Sequence, residues 1–117
     1  MPEAEEIFES AVRSTGDLAG VFEFDGETSY FYLYRTGGQG NQVLDSIHIS
    51  SELPDFATSD VAVRWTRNHL RVGLFIRGEL WAVFDTDRKT KFGGNYRART
   101  RPALSSAARE GFERALK

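Results

Sequence analysis

The chain contains no cysteine. That excludes a disulfide framework, a thiol nucleophile and any zinc or iron–sulfur site held by cysteine. Histidine is scarce as well, with only His48 and His69. Asp45 and His48 lie three apart on an expected strand, where they point to opposite faces and do not share a metal. His69 follows Asn68 in an expected turn, where polar residues are ordinary. No His-Glu-x-x-His, phosphate loop or Gly-x-Ser-x-Gly occurs. The expectation is therefore no metal and no cofactor. Long apolar runs are missing too: none approaches the roughly 20 residues that span a bilayer. Met1 to Ser10 holds four glutamates and no basic residue, unlike the basic start of a secretory signal. A soluble cytoplasmic protein without a membrane partner is expected.

Basic residues are nearly absent from the first half. Residues 1–60 carry 12 acidic and 2 basic side chains, and residues 61–117 carry 5 acidic and 13 basic. The net charge of −2 hides this separation. If the halves interleave, the charges pair across strands or form opposed patches. A length of 117 residues suits a single domain over 1–117. Such a chain buries roughly two-thirds of its unfolded surface, enough for a core without staples. Nine Phe, four Tyr and two Trp are far more aromatics than a disordered segment holds.

Most of the chain reads as short strands with turn residues between them. Val21–Phe24 and Ser29–Tyr34 flank Asp25-Gly26, a strong hairpin signal because glycine accepts positive φ freely. Pairing Phe24 with Thr28 and Phe22 with Tyr30 sets aromatic against aromatic and is the expected register. Thr36–Asn41, with three glycines, reads as a flexible connection. Further strands are expected over Val43–Ser50, Val61–Thr66, Leu70–Ile76 and Leu80–Asp85, the last two joined around Gly78. Their core sets are Leu70, Val72, Leu74, Ile76 and Leu80, Ala82, Phe84, with Phe75, Trp81 and Val83 opposite. Residues 5–13 fit either a helix, from Ile7, Phe8, Ala11 and Val12, or an edge strand over Ser10–Ser14. Leu104, Ala108, Phe112 and Leu116 fall four apart and predict a C-terminal helix capped by Ser105 or Ser106. The expected class is α+β: a mostly antiparallel meander of about six strands, curled or open, with a C-terminal helix.

Two sets of residues stand out as candidate surfaces. Tyr30, Tyr32 and Tyr34 alternate with Phe31 and Leu33, so three phenols share one strand face. Such a row can stack on bases or sugars or anchor a protein partner, and His48 or Arg64 is expected at its border. It can equally pack beneath a helix. The second set is basic: Arg88, Lys89, Lys91, Arg97, Arg99 and Arg101 surround Phe92, Tyr96 and a Gly-Gly turn. Cations interleaved with aromatics suit single-stranded nucleic acid, and the same cations can instead pair with the acidic half. The carboxylates Glu23, Asp25, Glu27, Asp45 and Asp85 are the candidate acid–base groups, although turn and strand-end positions explain most of them.

The run Val21-Phe22-Glu23-Phe24-Asp25-Gly26-Glu27-Thr28-Ser29-Tyr30-Phe31-Tyr32, then Leu44-Asp45-Ser46-Ile47-His48-Ile49, Trp65 and Ala82-Val83-Phe84-Asp85, is similar to a family of small stand-alone bacterial domains of unknown function. The similarity spans roughly residues 18–101, and Ser29 and Ser50 depart from the family's pattern. The resemblance implies no activity. The reading of the residues is a non-enzymatic binding or protein-interaction module with no assigned catalytic residue. The first alternative is a nucleic-acid-binding domain using residues 88–101. The second is a small hydrolase using the carboxylates and His48.

Overall fold

A computed structural model describes residues 6–36, 42–97, 100, 102, 104, 109 and 112. The expected loop at 37–41, the capping serines Ser105 and Ser106, and Arg99, Arg101, Ala108 and Leu116 lie outside the described residues. Eight strands form two four-stranded antiparallel sheets. The first sheet contains β1 (Ile7–Val12), β2 (Leu18–Phe24), β3 (Ser29–Arg35) and β4 (Gln42–Ser50), paired in chain order. A single 3-10 turn over Thr58–Asp60 leads into the second sheet. That sheet contains β5 (Val61–Trp65), β6 (Arg71–Ile76), β7 (Glu79–Asp85) and β8 (Thr90–Gly93), again in chain order.

The α+β expectation is therefore corrected to nearly all β. Among the described residues the elements are eight strands and one 3-10 turn, and no C-terminal helix stands among those elements, although Arg109 and Phe112 individually have helical backbone. Of the four-residue apolar spacing, the described members are Leu104, half-buried, and Phe112, buried. Phe112 is buried against Phe75, Leu80 and Val83 on the outer side of the second sheet. Within the ambiguous stretch, Ile7–Val12 is a strand: Ile7 is buried and Phe8 exposed, so the two faces of an edge strand had mimicked one helical stripe.

The sheets face each other across one core. Phe22, Phe24, Phe31, Ile47 and Ile49 from the first meet Val72, Leu74, Ile76, Ala82 and Phe84 from the second. Phe31 and Phe84 bring their ring centroids to 5.1 Å across this layer. The β2–β3 register is one residue off the expected one: Phe24 pairs with Ser29 and Phe22 with Phe31. The cause is Asp25, whose carboxylate accepts the N–H groups of Glu27 and Thr28, both at 2.9 Å, and fixes a four-residue loop. The β6–β7 hairpin closes tightly on Arg77 (φ 53) and Gly78 (φ 79), the doubly left-handed turn that matches strand twist. A bulge then leaves Trp81 unpaired between Leu80 and Ala82. Trp81 turns into the core and Leu80 to the outer face, the reverse of the simple alternation.

One connection ties the two sheets at their edge. After β8 the chain crosses over: Gly94 donates to the Trp81 carbonyl, then Asn95 and Tyr96 donate to the carbonyls of His48 and Ile49. At the opposite end Trp65 Nε1 donates to the Ala11 carbonyl at 2.9 Å. The Arg13 guanidinium lies 5.5 Å from the Trp65 ring centre while also pairing with Asp17. The halves of the sequence do not interleave. Each makes its own sheet, and only Lys91–Asp45 and the Arg77 pairs with Asp55 and Asp60 join the two among the described ion pairs.

Candidate functional site

Strand alternation decides what the outer side of the first sheet displays. With Phe22, Phe24 and Phe31 turned inward, their neighbours Val21, Glu23, Tyr30 and Tyr32 turn outward. The register adds Phe8 opposite Glu23 on one side, and His48 opposite Tyr30 and Val43 opposite Tyr34 on the other. Tyr30 and Tyr32 stack with centroids 5.7 Å apart at 23°, and the His48 ring meets Tyr30 edge-on at 5.5 Å. A second bulge, between Leu33 and Tyr34, leaves both Val43 and Leu44 on the surface.

The result is an apolar, aromatic face open to solvent. Phe8 is 60% exposed, Val12 56% and Val43 52%, beside three half-buried tyrosines. Phe8, Val21, Glu23, Tyr32, Tyr34 and Val43 line a groove of about 520 Å³ in it. Glu23 is the groove's one carboxylate, and it makes no hydrogen bond or ion pair among the described residues. Partial burial, then the Glu23 charge, push the Tyr32 hydroxyl above its ordinary pKa, so it stays a protonated donor.

The outer side of the second sheet is also apolar, but the chain covers it. Phe112 meets Phe75 edge-on at 5.6 Å, over Gly73, where a Cβ would come within 3.0 Å of the Phe112 ring. Ala62, Phe92 and Leu104 close round this cluster. Arg64 belongs to this side, opposite Gly73 in the register. It does not border the tyrosines, whereas His48 does.

The remaining candidates have structural occupations. Asp85 is buried, receives the Arg71 guanidinium at 3.1 Å and accepts the N–H groups of Asp87 and Arg88. Asp45 takes Lys91 Nζ and the Ser46 N–H, both at 2.8 Å. Asp25 is spent on its turn, as described above, and Glu27 donates its backbone N–H to that turn. His48 Nε2 lies 2.8 Å from Ser51 Oγ, in a pocket of about 360 Å³ shared with Asn95, Tyr96 and Arg97. No cluster of His, Asp or Glu side chains suited to a metal ion occurs among the described residues. Nor is any helix among them long and apolar enough to cross a membrane.

The basic segment is dispersed. Arg88 and Lys89 sit in the β7–β8 turn, Lys91 holds Asp45, and Arg97 lies beyond the crossover. Its aromatics are engaged in packing: Phe92 packs on the Phe112 cluster, and Tyr96 meets Trp81 at 4.7 Å and Phe56 at 5.2 Å. Tyr96 also donates to Asp55 at 2.6 Å. Burial and that carboxylate push its pKa up to about 12, and the same bond, with Arg77, holds Asp55 below its ordinary value.

Sequence reasoning missed Phe8 and Val43 as parts of the surface. The signal for Phe8 was present in the parity of β1, but residues 5–13 fitted a helix or an edge strand over Ser10–Ser14 equally well. Comparison with known proteins gives a single result. A family described as "uncharacterized protein conserved in bacteria (DUF2251)" matches residues 2–113. No curated protein and no solved structure matches. The chain belongs to that bacterial family, whose match extends beyond the region in which the resemblance was visible by eye.

Proposed function

We propose that this bacterial domain is a non-enzymatic interaction module that binds another protein through the outer face of its first sheet. One observation carries the reading: of two apolar outer faces, the second sheet's is covered by Phe112 and Leu104, and the first sheet's has no cover among the described residues. Contiguous exposed apolar surface on a small protein marks a place where something docks. Tyrosine suits such a surface, giving large contact area at small cost in side-chain entropy. The nucleic-acid alternative has less support, because Phe92 and Tyr96 are packed against other side chains of the chain instead of offering faces to bases. The hydrolase alternative has less still. Each of Asp25, Asp45 and Asp85 is engaged at its own turn or ion pair, with no shared substrate position.

The test is site-specific crosslinking in a bacterial extract. A photoreactive side chain at position 34 should capture one defined partner, and the same group at position 64, on the other sheet, should not. Tyr32→Ala should keep the parent melting curve and lose the capture. Equal capture from both positions, or full capture by folded Tyr32→Ala, defeats the assignment.

A further inference from the structure

We propose that the groove receives an arginine side chain, presented by the partner on an otherwise apolar segment, with its guanidinium set against Glu23. The inference rests on the interaction reading above and names the partner's chemistry. It starts from an imbalance in the groove: five of its six lining side chains are apolar or aromatic, and the sixth is a carboxylate with no partner among the described residues. A purely apolar partner laid over Phe8, Tyr32 and Val43 would take Glu23 out of water with nothing to replace its hydration. Burying an unpaired charge is strongly unfavourable, so such a partner is selected against. An anionic partner meets the same carboxylate with the wrong sign.

A cation resolves both problems, and the described residues of the first sheet offer none to Glu23. Across residues 6–36 and 42–50 there are seven acidic side chains and two basic ones. Of the two, Arg13 is committed to Asp17 and Trp65. Arg35 pairs with Leu18 in the register, on the alternation opposite to the tyrosines. Among the described residues, then, the Glu23 charge has no counter-charge, and the proposed partner brings one.

The walls favour arginine over lysine. A guanidinium is planar, stacks on aromatic faces and pairs with a carboxylate through two parallel N–H donors. Tyr32, Tyr34 and Phe8 supply aromatic surface beside Glu23 in one groove, where cation–π attraction and the ion pair reinforce each other. The methylene stem of arginine lies on apolar surface without penalty. The protonated Tyr32 hydroxyl leaves a hydrogen-bond donor at the rim for a partner carbonyl.

The probe is a capped seven-residue peptide of valine and threonine with one central arginine, titrated to millimolar concentration into the full chain and followed by amide chemical shifts. A matched peptide carries citrulline instead, which keeps the shape and loses the charge. The arginine peptide should shift the amides of Glu23, Tyr30, Tyr32 and Tyr34, and the citrulline peptide should bind at least about tenfold more weakly. Glu23→Gln, an exposed and conservative change, should remove the difference between the peptides, and a lysine peptide should fall between them. Equal binding by the citrulline peptide overturns the arginine proposal and leaves the interaction face standing. So does the absence of any binding, if the crosslinked partner of position 34 is still found. Self-association of the chain through this face, unaffected by Glu23→Gln, also overturns it. Retention of the partner by folded Tyr32→Ala instead sinks the face itself.

Discussion

Replacing Phe112 by alanine separates the two outer faces of the sandwich. Phe112 is only 1% exposed and roofs the second sheet, with its ring edge-on to Phe75 and resting over Gly73. Truncating a buried phenylalanine typically costs about 3–5 kcal/mol, the transfer of the ring plus the cavity it leaves. The upper part of that range applies where the site cannot collapse. Here the floor is paired strand backbone at Gly73, which cannot rise to fill the space without breaking β6 pairing. For a chain of 117 residues, each kcal/mol moves the thermal midpoint by about 4 °C, so Phe112→Ala should lower it by about 12–20 °C. Circular dichroism melts, checked by urea midpoints, read this directly. Phe8→Ala is the matched control: the same residue type, 60% exposed, should cost less than about 1 kcal/mol and shift the midpoint by a few degrees at most. A Phe112→Ala midpoint within about 3 °C of the parent would refute the claim that this segment seals the second sheet.

The crossover after β8 should be intolerant of a side chain: Gly94 sits at φ +102 with a virtual Cβ 2.7 Å from both the His48 carbonyl oxygen and Ile47 Cγ2. Gly94→Ala should cost about 1–3 kcal/mol in urea unfolding, and a parent-like midpoint would show that the crossover is not held as described. The Tyr96–Asp55 hydrogen bond should shape both ends of the pH–stability profile. Tyr96, with its folded pKa raised to about 12, contributes stability that is full below its ordinary value of 10.0 and lost as pH rises through about 12. Asp55, with its folded pKa depressed, contributes stability that is full above its ordinary 3.8 and lost as pH falls through the lower folded value. Tyr96→Phe should flatten both limbs of urea midpoints measured against pH, and unchanged limbs would mean that the bond is not formed in solution.

Local chemistry was legible in the sequence, and pairing offsets were not. The alternation of Tyr30, Phe31, Tyr32 and Leu33 separated two strand faces without any structural information, and left open whether the tyrosine face lay at the surface or beneath a cover. Asp25-Gly26 and Gly78 marked both hairpins, because the residues that make a turn also name it. The exact partner of Phe24 was less accessible. An Asx-type carboxylate can close loops of different length, and the aromatic-on-aromatic criterion is satisfied by Phe22 with Tyr30 or by Phe22 with Phe31. Bulges are hidden for the same reason: one unpaired residue moved Trp81 inward and Leu80 outward, though neither is chemically odd in its place. Strand β8 escaped notice because a four-residue edge with one aromatic, Phe92, among basic neighbours carries almost no periodic signal. The groove was half readable. Val21, Glu23, Tyr32 and Tyr34 follow from hairpin parity, while Phe8 and Val43 depend on β1 being a strand and on the bulge beside Tyr34.

Energetics distinguish what the first sheet needs for folding from what it keeps at its surface. Phe22, Phe24 and Phe31 are fully buried, and the sandwich cannot hold without them. Phe8, Val12 and Val43 remain more than half exposed, so each contributes a small part of what a buried side chain would. Threonine at any of these positions would serve the strand as well, since β-branched polar residues pair readily on a solvated face. The fold therefore gives no reason for phenylalanine and valine there. On the second sheet the chain lays its own Phe112 and Leu104 across the apolar outer face. The first face carries no such cover among the described residues, and Glu23 has no hydrogen bond or ion pair among them; the partner proposed above would bring both apolar surface and positive charge to that face.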